Sequence, residues 1–137
     1  MIIVVTGSRT WTNESLIKSR LEYWELHARN KEDTLTVIVG YDPVKQTPIG
    51  VDKMVYKWCK ALGINVIPEP ADWKNGRINY FGSRAVNMAG FDRNELMLDK
   101  HNPDLVVAFR AEGKSNGTDH CVKEARKRNI PVELNRE

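Results

Sequence analysis

The chain is poor in the residues that build metal sites and covalent staples. Its 137 residues include two cysteines, Cys59 and Cys121, and three scattered histidines, His27, His101 and His120. Neither set has metal-ligand spacing, so no metal, cofactor or disulfide is expected, and the thiols read as small packed groups in a reducing cytoplasm. No apolar run approaches the roughly 18 residues that a membrane helix needs. Met1 leads directly into a strand pattern, so no signal peptide is expected either. A net charge of +3 is too small to announce a nucleic-acid partner. Two phosphate motifs are also missing. There is no Gly-x-x-x-x-Gly-Lys-Ser/Thr loop, and Gly7 is followed by Ser8, Arg9 and Thr10 rather than by a Gly-x-Gly-x-x-Gly fingerprint. Ordinary P-loop hydrolysis and standard dinucleotide dehydrogenation are therefore disfavoured.

What is present starts at the N-terminus. Ile2 to Val5 is a continuous apolar run, suited to a strand covered on both faces. It enters Thr6, Gly7, Ser8 and Arg9, and a helix starts near Thr12 or Asn13, both good N-caps. Strand, glycine turn and helix start together aim backbone N–H groups at an anion, although a plain turn with a surface arginine fits the same residues. Ile17, Leu21, Trp24 and Ala28 then fall at helical spacing over about 13–29. Leu35 to Val39 reads as a second strand ending at Gly40, and the proline-bearing 41–49 segment as a long loop. Gly50 opens a helix with a stripe of Val51, Met54, Val55, Trp58 and Leu62. Ile64 to Ile67 is a short third strand.

Residues 74–91 show no clean period and read as an irregular insertion, with Ser83 to Met88 a candidate helical turn. A short helix follows over 93–98, then a buried strand at 105–109, a turn-rich loop at 112–117, a last helix from Thr118, and an edge strand at 130–134. Alternating strands and helices of these lengths predict one α/β domain over 1–137: a Rossmann-like open, mostly parallel sheet of about five strands with helices on both faces.

In such sheets ligands bind beyond the carboxyl ends of the strands. That rule gathers the loops after the first four strands, with Gly7, Ser8 and Arg9; Gly40, Gly50 and Asp52; Asp72 and Trp73; and Phe109, Gly117 and Thr118. Glycines permit close approach, and the hydroxyls and free N–H groups suit phosphate. Arg9 and Arg93 are candidates for bidentate phosphate contact. Trp73 and Phe109 lie where a base could stack. Asp52 and Asp72 are the carboxylates placed for sugar hydroxyls or acid–base catalysis. Each feature also has a structural use, as a cap, a core plug or a solvated charge. Their convergence on one sheet edge points to a nucleotide-like ligand.

The series Gly7-Ser8-Arg9, Gly40 to Gly50-Val51-Asp52, Ala71-Asp72-Trp73, Arg93-Asn94 with Met97, Pro103-Asp104 to Phe109, and Gly117-Thr118 resembles the YspA/YpsA-related branch of the SLOG superfamily, the domain catalogued as DUF2493. The resemblance covers nearly the whole chain. It implies a nucleotide or nucleotide-derived ligand, bound by a sensor-like or sequestering protein, and adds Asn94 to the candidate site. The superfamily also holds the Lonely-guy phosphoribohydrolases and the DprA recombination mediators. It therefore implies two alternatives: cleavage or transfer at an N-glycosidic bond, and nucleic-acid binding. The chain departs from the pattern in its expanded 41–49 loop, in the length of 75–91, and at Cys121, which stands where Lonely-guy enzymes carry a catalytic glutamate. The basic cluster Lys123, Arg126, Lys127 and Arg128 would serve the nucleic-acid alternative, less favoured because cations are expected at a helix C-terminus. Tyr80, Phe81 and Met88 have little obvious core to join, so a homo-oligomer is expected.

Overall fold

A computed structural model describes residues 1–137. Five strands form one parallel sheet: β1 (Ile2–Gly7), β2 (Thr36–Val39), β3 (Asn65–Pro68), β6 (Leu105–Arg110) and β7 (Val132–Arg136), in the order β3-β2-β1-β6-β7. Four helices cover it: α1 (Glu14–Asn30), α2 (Val51–Leu62), α3 (Ala89–His101) and α4 (Asn116–Lys127). Two further strands, β4 (Ile78–Phe81) and β5 (Arg84–Asn87), make a separate antiparallel hairpin. This is the expected α/β architecture, an open Rossmann-like sheet.

The period-2 alternation of each strand sorts its side chains between two cores. Ile3, Val5, Val37, Val39, Leu105, Val107 and Phe109 face α1 and α2, where they meet Ile17, Leu21, Val51, Val55 and Cys59. Val4, Ile38 and Val106 face the other way and meet Met97, Leu98, Cys121 and Ala125 of α3 and α4. Parallel register aligns the strands across the sheet, with Val4 opposite both Ile38 and Val106. Chain direction leaves β1 toward β2 on one side and meets β6 on the other, so strand order reverses at β1. The crevice outside its carboxyl end is where this topology places a ligand.

Several expectations are corrected. Residues 74–91 are not irregular: they hold the hairpin, and Arg84–Asn87 is a strand where a helical turn was expected. Ile78 to Phe81 pair antiparallel with Arg84 to Asn87, and the chain reverses between them at Gly82, whose φ of +64° suits a tight turn. The helix containing Arg93 is longer than 93–98, starting at Ala89 and ending at His101 with Asn102 in the left-handed region. The last strand runs over Val132–Arg136 rather than 130–134, because Pro131 has no N–H to give the ladder. Asn13 is the observed cap of α1, its side chain accepting from Leu16 N at 3.1 Å. No helix is long and apolar enough to cross a membrane.

Candidate functional site

At the carboxyl edge the loops after β1, β2, β3 and β6 enclose a cavity of about 480 Å³. Of the residues expected there, Gly7, Arg9, Asp52, Trp73, Arg93, Asn94, Gly117 and Thr118 line it. They come from the turn after β1, the loop after β3 and the N-terminal halves of α2, α3 and α4, brought together because all the strands of the sheet point the same way.

Asp52 is the least ordinary of these groups. It sits in the first turn of α2, 7 % exposed, and its Oδ1 has no hydrogen-bond partner. Burial raises its pKa to about 7, against the pull of the Arg93 and Arg9 guanidinium groups. Arg93 is its counterpart. Burial lowers the guanidinium's pKa, while Asp52 pulls it back up. Arg93 donates long hydrogen bonds, to Asn94 Oδ1 at 3.3 Å and to the Glu69 carbonyl at 3.4 Å. It has no carboxylate within ion-pair distance, and nor has Arg9. By contrast Arg20 and Arg110 each hold one, and Arg77 and Arg128 each hold two.

The opposite wall is the start of α4. Ser115 is its N-cap residue but makes no capping bond; its hydroxyl pairs instead with Ser8 Oγ at 2.8 Å. The first turn, Asn116, Gly117 and Thr118, therefore opens into the cavity without a side-chain cap, beside Lys114. Uncapped N–H groups and the positive end of the helix dipole make that wall attractive to anions. Asn94 braces it, its Nδ2 donating to the Gly117 carbonyl at 3.0 Å. His120 stacks on Phe91 at 4.2 Å between ring centroids, and burial lowers its pKa. Phe91 and the half-exposed Trp73 supply the aromatic surface.

The other expected residues have different places. Ser8 is buried and committed to structure: its Oγ accepts from Ala111 N at 2.9 Å and ties the β1 loop to the β6 loop. Phe109 is fully buried, edge-on to Trp11 at 5.4 Å, and offers no face to a base. Asp72 is exposed outside the cavity and closes a turn onto Asn75, whose Nδ2 donates to its Oδ2 at 3.0 Å. Gly40 and Gly50 do not line the cavity but shape it from behind. A Cβ on Gly40 would lie 2.5 Å from the Arg93 guanidinium carbon, and one on Gly50 2.5 Å from Arg9 Cα.

Sequence reasoning missed Thr6, Asn87, Phe91, Lys114 and Ser115 among the lining residues. Ser115 and Lys114 were legible as neighbours of Gly117; Asn87 was not, because only the hairpin brings it over the cavity. Cys121 lies beneath this floor, fully buried, its thiol pushed up to about 12 by burial and by the Asp52 charge. No group of three or more histidine, cysteine, aspartate or glutamate side chains is arranged to hold a metal. In the basic cluster at the end of α4, Lys127 pairs with Glu124, and Arg128 pairs with Glu124 and Asp99.

No family model matches the chain. The Gene 61 protein of Mycobacterium phage D29 is 32 % identical to it over 135 residues, covering 95 % of this chain and 92 % of that protein. At that identity and coverage, the chain belongs to the same family as this phage Gene 61 protein.

Proposed function

We propose that the protein binds a nucleotide or nucleotide-derived phosphorylated ligand in the carboxyl-edge cavity, acting in the cytoplasm as a sensor-like or sequestering domain of the SLOG type. The observation that carries this reading is the company Arg93 keeps. A half-buried guanidinium lies near one carboxyl, Asp52, that is itself pushed toward neutrality, and no carboxylate of the chain comes within ion-pair distance of it. Burying unpaired charge is costly. A phosphorylated ligand relieves that cost, with Arg9, Arg93, Lys114 and the first turn of α4 on its charged end. Trp73 and Phe91 suit its base, and the unpartnered Asp52 oxygen suits a sugar hydroxyl. A volume of about 480 Å³ lies within the usual range for small-molecule sites.

Thermal unfolding against nucleoside monophosphates, ADP-ribose, NAD and cyclic nucleotides tests this. A true ligand at a hundredfold excess over its Kd adds about 2.7 kcal/mol of stability. Stabilisation by none of them overturns the reading.

A second reading, cleavage or transfer at an N-glycosidic bond, is favoured by Asp52 alone. A carboxyl near pKa 7 in a cavity is poised for proton transfer at neutral pH. It would replace the glutamate that Cys121 displaces, since a buried thiol held at about 12 cannot stabilise an oxocarbenium-like state. Chromatographic release of free base from nucleoside monophosphates, abolished in Asp52→Asn, would establish it. Release that survives that substitution sinks the assignment. Nucleic-acid binding has less support, because the cations of Lys127 and Arg128 are already paired. Self-association through the hairpin belongs to the first reading: Ile78, Tyr80 and Phe81 stand exposed on it, and sedimentation of the wild type against Tyr80→Ser/Phe81→Ser tests it.

A further inference from the structure

The cavity continues past Trp73. A second recess of about 560 Å³ adjoins it, and Arg9, Pro48, Trp73 and Arg93 line both. The two unpaired arginines thus stand at a neck rather than at an end. Beyond the neck, the wall is the expanded 41–49 loop, with Asp42, Lys45, Thr47 and Ile49 facing the recess and Ala71 closing it.

This wall is a built surface. Asp42 Oδ1 accepts from Val44 N at 2.9 Å and Lys45 N at 3.1 Å, and Asp42 and Thr47 exchange backbone hydrogen bonds. Tyr41, buried at the loop's start, packs on Tyr56 at 5.1 Å. Gly50, at φ +87°, lays the loop's end on the backbone of Ser8 and Arg9. Charge in the recess is lopsided: Arg9, Arg93 and Lys45 face Asp42 alone, and one oxygen of that carboxylate is engaged by the loop's own N–H groups.

A ligand confined to the first cavity would meet the arginines from one side only and leave a cationic recess open behind them. We infer that the ligand is a two-part diphosphate, a nucleoside diphosphate carrying a second sugar or base beyond its phosphates. This rests on the reading that the site takes a phosphorylated nucleotide derivative, and it names which class. The Asp52 cavity holds one half, with one phosphate toward the first turn of α4. The diphosphate crosses the neck between Arg9 and Arg93, each able to offer two parallel N–H bonds. Its second phosphate faces Lys45, and the distal half occupies the recess.

Isothermal titration of paired probes decides the matter: AMP against ADP-ribose and NAD, and UMP against UDP-glucose. In at least one pair the two-part ligand binds ten times more tightly than its monophosphate. In Lys45→Ala, an exposed site whose loss the fold tolerates, and in Ala71→Trp, which fills the recess, that ratio falls toward one while the thermal midpoint of the free protein certifies folding. Equal affinity within every pair, or a ratio unchanged in both variants, overturns the inference and leaves the nucleotide reading standing. Binding of no probe at all removes both.

Discussion

Gly40 lies directly behind the guanidinium of Arg93: a Cβ built on it would sit 2.5 Å from Cζ and 2.6 Å from Nη1. The glycine at the end of β2 is thus a mould for the arginine that faces the cavity. Because the colliding group is the far end of a flexible side chain, Gly40→Ala keeps the fold and displaces Arg93. The expected outcome is a loss of about 1 kcal/mol or less in stability, with ligand affinity lowered tenfold or more, since a misplaced guanidinium loses a charge-assisted contact worth roughly 1.5–3 kcal/mol. Chemical denaturation and titration with the same ligand read the two effects separately. A large stability loss with intact affinity would show that Gly40 serves the core instead.

Gly50 gives the opposite balance. Its φ of +87° is one that L side chains rarely adopt, and a Cβ there would lie 2.5 Å from Arg9 Cα and 2.6 Å from the carbonyl oxygens of Ser8 and Arg9. Neither obstacle is a side chain that can swing away. Gly50→Ala is expected to cost about 2–4 kcal/mol, from left-handed strain plus displacement of the β1 loop. A urea midpoint shifted by less than the Gly40→Ala shift would refute this ordering.

The contrast between these glycines shows what a single sequence carries. Continuous apolar strands separated by helical stripes gave the parallel sheet, and parallel strands bring their carboxyl ends to one edge whatever the loops contain. The sheet-edge rule therefore gathers Arg9, Asp52, Trp73 and Thr118, and these four line one cavity together with Arg93, which was singled out by residue type. Burial within that edge was not legible. Asp52 and Asp72 look alike as residues, yet one is a buried carboxyl with an unpartnered oxygen and the other an exposed turn residue bonded to Asn75. Phe109 was legible by parity, since it continues the Leu105 and Val107 face of β6 into the core. The hairpin was hidden for a physical reason. Its strands bury almost nothing, and it is anchored by ties that leave no periodicity, such as Asn87 Nδ2 donating to the Trp73 carbonyl at 2.7 Å.

The two aromatic residues proposed for stacking from the sequence separate cleanly in their expected effects. Phe109 has no exposure and fills the core beside Trp11, so Phe109→Ala is expected to cost about 3–5 kcal/mol, the usual range for a buried ring. Trp73 is half-exposed at the neck of the cavity, packed only lightly over Gly90, whose added Cβ would lie 3.3 Å away. Trp73→Ala is expected to lower ligand affinity by about five- to fiftyfold, equivalent to roughly 1–2.3 kcal/mol, with little change in thermal midpoint. Affinity that survives Trp73→Ala would remove stacking from the site.

Asp52 makes stability and binding pull in opposite directions, and pH exposes it. In the unfolded chain an aspartate titrates near 3.9; in the folded chain burial holds Asp52 at about 7. Between those values the folded state keeps a proton that the unfolded state has released. The linkage slope is therefore negative, and the Asp52 contribution to stability falls as pH rises from about 4 to 7 and stays low above that. Three units of difference correspond to about 4 kcal/mol. Asp52→Asn has the same shape and no charge to desolvate. It is expected to unfold later than the wild type at pH 8, by about 2–4 kcal/mol, with the advantage shrinking toward zero near pH 4. The same variant is expected to bind ligand more weakly, because an amide presents the sugar with one acceptor where the carboxylate has two. Denaturant unfolding of both proteins at pH 4.5, 6, 7 and 8 gives the test. An advantage that does not grow with pH would mean that Asp52 is ionised and satisfied in the folded protein, and would remove the strained carboxyl on which the site's chemistry depends.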